Sequence, residues 1–574
     1  MVLGGLLAAS PVAVNAAPLS GQPFSAYGSG AAVITNALTL GTTTVANTEV
    51  AFSGGVVNSQ GLNTPVTNEL GINVAPVTPG KNALGRGTGL ELGAVTTTPQ
   101  LTNVNQVLLS GLAVATAPPP SRDVKEIPLN LDPVAFASAL RGTAAANYDP
   151  NFCPVGRPLT FGEGYAANLE LLNTGGAVDP NTGFPGSLVG TSTTAGNPRA
   201  ASQSRTVTYV VPNGDGTFGV VSETRQTVAP ITLLGTLPGT GLLVEIAGEF
   251  GLRVAATGKP GGATAAYTGN PVITVTQLLP DPLPDLVVLG PISLQSILGP
   301  TGLTIDLPGV LTVSAGAPPR ALNGALGSAP ALENAGGTAA SAAADAVRIG
   351  VLAGLPGLTG VDLRLGHLEA AVTVPAGGLR CDIPVSKVAS VDPVNIGNDF
   401  SYTISIPSDS ALFSALFNCD LLNISAVDTV TTESGSPRIQ LLSASNGGVI
   451  SGNTVTFPNL GNYTLGQPPI LVTINARIPA NSGPGVLRNT VNVSATLGNC
   501  RGTGINGEDI IGSAQINGGT LTGAFTLLAP NVIRGDLAAT GGNSWPLVAG
   551  GGFLLAALGL VRLRRRAAEV PAQG

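Results

Sequence analysis

Apolar and polar residues alternate with a period of two along most of this chain, in short runs broken by Gly, Pro, Asn and Asp. From Pro18 to Val114, stretches such as "AAVITNALTLGTTTVANTEVAFSGGVV" predict consecutive short strands. Between Arg205 and Val228 two alternating runs flank Asn213-Gly214-Asp215-Gly216, residues that tolerate the positive φ of a tight turn, so a hairpin is expected. The same four residues resemble a fragment of a calcium loop. They lack its further acidic ligands and closing Glu, and the turn is the better reading. Residues 340–374 predict several more strands, and the proline-spaced run from Gln277 to Pro291 an extended loop or sheet edge. Asp281 and Asp285 in that run invite a carboxylate-pair reading, which a rigid exposed segment does not favour. "DPVAFASALRGTAAANY" (Asp132 to Tyr148) suggests one short helix, capped by Asp132. "APPPSRD" (residues 117–123) reads as a surface linker that divides residues 17–378 into one or two domains. The fold class is therefore all-β: a β-rich N-terminal region over 17–378, then a β-sandwich over 379–529.

Composition sharpens this picture. Charged residues make up 10% of the 574, against roughly 25% in an ordinary soluble chain. Gly and Pro are abundant, yet 43% of residues are hydrophobic, the reverse of a disordered composition. The net charge of −7 leaves no basic surface for nucleic acid. A single histidine, His367, has Glu369 two positions on and so on the same strand face. No second histidine exists to complete a metal site, and a cross-strand or loop hydrogen bond is expected; neither metal nor cofactor is expected. Four cysteines (Cys153, Cys381, Cys419, Cys500) show no C-x-x-C pair, which in an exported chain predicts two disulfides. Three connectivities are open, and spacing does not choose among them.

Both ends read as addresses. Val2 to Ala9 is apolar and leads to the small-residue site Val14-Asn15-Ala16, so residues 1–16 are expected to be a secretory signal peptide rather than a buried first strand. The missing basic segment predicts a start further upstream. Near the other end, residues 545–561 form an apolar run about 25 Å long as a helix, marginal for a bilayer and interrupted at Gly550 to Gly552. Arg562, Arg564, Arg565 and Arg566 follow, and they hold that end in the cytoplasm.

Three resemblances add to this. "SKVASVDPVNIGNDFSYTISI", "NISAVDTV", "VTFPNLGNYTLGQPPILVTINARIPA" and "LRNTVNVSA" resemble the Ig-like "conserved repeat" domain of bacterial surface proteins, departing from it in the insertion "SDSALFSALFNCDLL". The resemblance implies a disulfide between Cys419 and Cys500 and leaves Cys153 for Cys381. It also implies a candidate isopeptide bond between Lys387 and Asn489, promoted by a buried Asp428. Such a lysine must be neutral to attack, which an apolar core favours; the plainer reading is an exposed edge-strand lysine that discourages aggregation. The second resemblance is in Leu537-Ala538-Ala539-Thr540-Gly541, which is similar to the LPxTG/LAxTG sorting signal of Gram-positive wall proteins, with Ala in place of Pro. It implies that a sortase cuts after Thr540 and joins it to peptidoglycan, with residues 530–536 as spacer. Arg534-Gly535-Asp536 spells an integrin-binding tripeptide but sits beside that junction, poorly placed to reach a host. The third is in residues 17–378, which resemble actinobacterial choice-of-anchor surface proteins.

The expectation is an exported, wall-anchored surface protein without catalysis, in a structural, adhesive or display role. Its partners would be sortase, peptidoglycan, the membrane through the C-terminal helix, and an unidentified surface ligand. The alternative is a surface glycan-binding or carbohydrate-processing protein, which would need exposed aromatics or carboxylates converging in an aromatic-lined cleft; aromatics are only 4% of this chain.

Overall fold

The computed structural model describes residues 19–40, 43–97, 108–131, 135–150, 153–176, 186–191, 201–233, 241–279, 283–296, 302–307, 311–322, 330–351, 362–500 and 517–534. These residues form an all-β structure in which period-two alternation becomes inward and outward positions on strands. The segment 1–16 expected to be a signal peptide, the candidate sorting motif at Leu537 to Gly541, the apolar run 545–561 and the arginines 562–566 lie outside the described residues, as does Asp281.

Two large antiparallel sheets make up the N-terminal region. Sheet I has ten strands among the described residues and sheet II has fourteen. The chain fills one side of sheet I first, through Ser25–Leu40, Thr43–Asn58 and Ala83–Thr97. It then crosses to sheet II, which runs from Ser121–Leu131 to Leu286–Ser293 and takes its last strand, Leu379–Arg380, at the end of the region. Finally it returns to sheet I through Leu303–Leu307, Leu311–Ala315, Ala339–Val351 and Asp362–Thr373. The last of these pairs with Ser25–Leu40, bringing Thr373 opposite Ser25. The proline-rich stretch between 117 and 123 is thus where the chain changes layers, because prolines cannot donate to a ladder. The expected hairpin forms from Ala201–Pro212 and Thr217–Thr227, and the expected sheet edge is Leu286–Ser293.

Glycine brings the two sheets unusually close. A β-carbon on Gly87 would overlap the carbonyl oxygens of Glu163 and Thr143, and one on Gly162 those of Arg86 and Gly54. Backbone therefore meets backbone where side chains ordinarily hold sheets about 10 Å apart. This contact also explains one difference from the sequence reading. The described part of the expected helix, residues 135–148, is not helical; Ala135–Ala146 is a strand flanked in sheet II by Thr160–Ala167 and Ser121–Leu131, and Asp132 lies outside the described residues. Its alanines suit helix by propensity, but here they are the small side chains that tight sheet stacking requires, and tertiary packing overrides the preference.

The C-terminal unit is built from a four-stranded and a seven-stranded sheet among the described residues. The smaller sheet runs Ser386–Ala389, Asp399–Ile406, Ile470–Arg477, Gln440–Ala444. Asp420–Gly435 and Gly485–Gly498 are central in the larger sheet, with Thr520–Leu527 beside them. In Asp399–Ile406 alternation is strict: Phe400, Tyr402, Ile404 and Ile406 are buried. The insertion noted in the sequence holds a short helix, Ser410–Leu416, whose Phe413 stacks on Phe417 with centroids 4.2 Å apart. Disulfides join Cys153 to Cys381 and Cys419 to Cys500.

Candidate functional site

The C-terminal unit reverses the usual in–out rule at two positions. On Ser386–Ala389, Lys387 is fully buried while its neighbour Val388 is 41% exposed. On Asp420–Gly435, Asp428 is fully buried while Val427 is 41% exposed. A fold that exposes valines to bury a lysine and an aspartate has placed those charges deliberately, because each isolated buried charge is unfavourable by several kcal/mol, on the order of the whole stability of a domain.

The two residues come from opposite sheets and meet inside, Lys387 Nζ against Asp428 Oδ2. Asn489 completes the group. Its strand pairs with that of Asp428, Val430 facing Asn489 and Asp428 facing Val491, which puts both side chains on the inner face. Asn489 is fully buried against Asp428 and Tyr402, and neither its amide nitrogen nor its amide oxygen makes a well-formed hydrogen bond among the described residues. The second oxygen of Asp428 is likewise unpaired. Buried amides are normally satisfied, so an unsatisfied one beside a carboxyl that itself touches an amine needs an explanation.

Burial pushes the Lys387 ammonium down to about 8, against the opposing pull of Asp428. Burial also raises the Asp428 carboxyl above its usual range, against the pull of Lys387. Desolvation thus drives both groups toward their neutral forms, an amine and a carboxylic acid. Tyr402, which the sequence did not single out, forms the floor. Its ring centre lies 4.9 Å from Lys387 Nζ, and its hydroxyl donates to the Ala529 carbonyl at 3.0 Å. Alternation places Tyr402 inward, but its contact with Lys387 arises between neighbouring strands and has no mark in either segment alone.

A second charged group is buried in sheet I. His367 Nδ1 lies 2.6 Å from Asp345 Oδ1, and Nε2 lies 2.7 Å from Glu369 Oε1. Both ring nitrogens face carboxylates, which makes the ring an imidazolium donating twice. Burial alone would lower its pKa; Asp345 and Glu369 outweigh this and raise it to about 9. Glu69 comes from the segment that covers this face and pairs with Arg320 and Arg364. Its backbone N–H donates to Glu369 at 2.8 Å. Glu69, His367 and Glu369 present ligand atoms within 4.8 Å of one another, the span of a metal site. Yet Glu69 is occupied by two guanidiniums, and a cation there would meet both charges. The expected hydrogen bond of His367 is present, in a larger network than residues 367 and 369 alone could reveal.

Among the described residues, the aromatic side chains Tyr148, Tyr209, Tyr402 and Tyr463 are fully buried. A cleft of about 530 Å³ opens between the hairpin turn at Asp215 and the larger C-terminal sheet. Its lining includes Arg380, Asp382, Asn492 and Thr522 and contains no aromatic residue.

No family model matches this chain, and no curated protein does. Among solved structures, the N-terminal domain of the Streptococcus gordonii adhesin Sgo0707 aligns at 10% identity over 71% of this chain and 91% of that one, with a TM-score of 0.16. A Corynebacterium diphtheriae protein described as membrane anchored aligns at 10% identity over 82% and 92%, with a TM-score of 0.13. Scores this low do not establish a shared fold.

Proposed function

We propose that this chain is an exported surface protein, attached to the cell wall through Thr540, whose C-terminal β unit locks itself with an isopeptide bond between Lys387 and Asn489. The role is structural, adhesive or display. One observation carries the crosslink: a buried lysine and aspartate in contact, with a buried asparagine amide against the same aspartate that makes no well-formed hydrogen bond.

The chemistry balances without a co-reactant. Neutral Lys387 Nζ attacks Cγ of Asn489, and a new C–N amide bond forms as the Cγ–Nδ2 bond breaks. Asp428, as the acid, protonates the departing nitrogen and takes the proton that Nζ gives up. Ammonia leaves, and the carboxyl group ends as it began. Positioning supplies the rate, because the folded interior holds amine and amide together and keeps water out. The only reagent consumed is the chain's own asparagine amide, so this is self-modification rather than turnover.

Two disulfides fit an oxidising, exported setting. The sorting motif supports wall attachment by its order of polar motif, apolar run and arginines. Mass spectrometry of the protein released from purified walls tests both parts. The expected result is a carboxy terminus at Thr540, and a Lys387 peptide joined to the Asn489 peptide with the loss of one ammonia. An intact arginine cluster would overturn the wall reading, and a free Lys387 peptide would overturn the crosslink.

A further inference from the structure

Cys381 lies at the start of the link into the C-terminal unit, six positions before Lys387. Any pull from the carboxy-terminal side that passes through Lys387 reaches the N-terminal sheets at Cys381. Without a crosslink, that load would fall on Leu379–Arg380, a two-residue strand on Thr217–Thr227, and then on Asp362–Thr373 in the middle of sheet I. The disulfide to Cys153 gives the load a second entry, into the segment between the sheet II strands Ala135–Ala146 and Thr160–Ala167.

The same corner is held against the C-terminal unit. Asn418 N–H donates to the Val155 carbonyl at 3.0 Å, and Arg157 Nη2 donates to the Ser414 carbonyl at 3.2 Å. Gly156 sits so close to Cys419 that an added β-carbon would lie 2.9 Å from its sulfur. Both disulfides therefore meet at this junction. Cys419–Cys500 also interleaves with the Lys387–Asn489 pair, since residue 419 lies inside the span 387–489 and residue 500 outside it. Each of those links bridges most of the chain that the other bridges.

We infer that these links in series make the chain a tension-bearing tether, in which pull between the N-terminal sheets and the carboxy-terminal anchor runs through covalent bonds and bypasses most folded strands. The Lys387–Asn489 part rests on the crosslink proposed above; the Cys153–Cys381 part does not. Segments 154–380 and 388–488 are then shielded from load, and breaking one of the two C-terminal links leaves the other in place.

Single-molecule stretching of the full chain, with handles at Ser20 and Arg534, tests this. The Cys153–Cys381 span is 228 residues, so adding a reductant should lengthen the fully stretched chain by about 80 nm. Lys387→Arg should lengthen the reduced chain by about a further 35 nm, but the oxidised chain by no more than about 10 nm, because Cys419–Cys500 still bridges. An oxidised chain that stretches as far as the reduced one overturns the inference. So does a full 35 nm gain in the oxidised variant, since the links would then not interleave. If the wild-type mass shows no loss of ammonia and Lys387→Arg leaves the reduced length unchanged, the crosslink reading itself fails. The 80 nm difference still decides the disulfide path in that case.

Discussion

Lys387 and Asp428 meet across the two C-terminal sheets with both side chains fully excluded from solvent. Removing one member of such a pair strands the other charge. Asp428→Ala is expected to abolish the ammonia loss and to destabilise the unit by about 3–5 kcal/mol. Lys387→Met strands Asp428 instead, a carboxyl that burial already pushes toward its neutral acid form, and keeps similar volume, so it should also prevent crosslinking but destabilise less. Intact mass and denaturant melts of the two variants give the comparison. Equal losses of stability would mean that the buried charge is not what matters.

The pair shares one proton in the state that reacts, whether written as ammonium and carboxylate or as amine and acid. Its total charge is unchanged across neutral pH, so the reactive form is a fixed fraction there. With Lys387 at about 8, the shared proton is lost as pH rises through that value, and Asp428 can no longer act as the acid. Crosslink formation in chains translated in vitro and folded between about pH 6 and pH 10 should be level up to about 8 and slow above it. A rate that keeps climbing with pH would show that amine deprotonation alone limits the reaction.

His367 predicts a separate alkaline weakness. Its folded pKa of about 9 lies above the unfolded value near 6.5, so the folded state holds the proton more tightly. The resulting stability is fully present below about pH 6.5 and is lost as pH rises through about 9. It amounts to about 3 kcal/mol at most. The groups facing the ring are Asp345 and Glu369, with Arg320 and Arg364 behind them. Urea melts of the wild type should weaken over that window. Asp345→Asn should be less stable near neutral pH and show a flatter profile.

The same cluster gives a metal test. Because Arg320 and Arg364 already neutralise Glu69, adding zinc or EDTA should leave Tm unchanged to within about 1 °C. A rise with zinc that Glu69→Gln removes would show that the cluster binds a cation after all.

Close sheet contact makes another claim measurable. Gly162→Ala places a methyl group against carbonyl oxygens and should cost about 3 kcal/mol or prevent folding. Gly290→Ala, where the added carbon meets nothing within 4 Å, should change stability by less than about 0.5 kcal/mol. Similar effects at both sites would mean the sheets are not packed backbone to backbone.

Much of the strand content was determined by sequence alone, because alternation at a period of two is a local property: the hairpin around Asn213 to Gly216 and the inward face of Asp399–Ile406 could both be read directly. The residues of the candidate crosslink were named from a resemblance, and nothing local distinguishes a buried Lys387 from an exposed one. Its burial depends on Asp428, from the facing sheet, and on Tyr402, two residues before Ile404, the position that pairs with Lys387. His367 is similar: Glu369 is visible two positions away, whereas Asp345, Glu69 and the two arginines come from other strands and the covering segment. The alanine-rich run 135–146 suits a helix by propensity, but that preference is small, and the need for small side chains between stacked sheets exists only once the sheets meet. Sequence determined which residues alternate; the tertiary structure decided which charges lost their water, because burial is a property of the assembled layers.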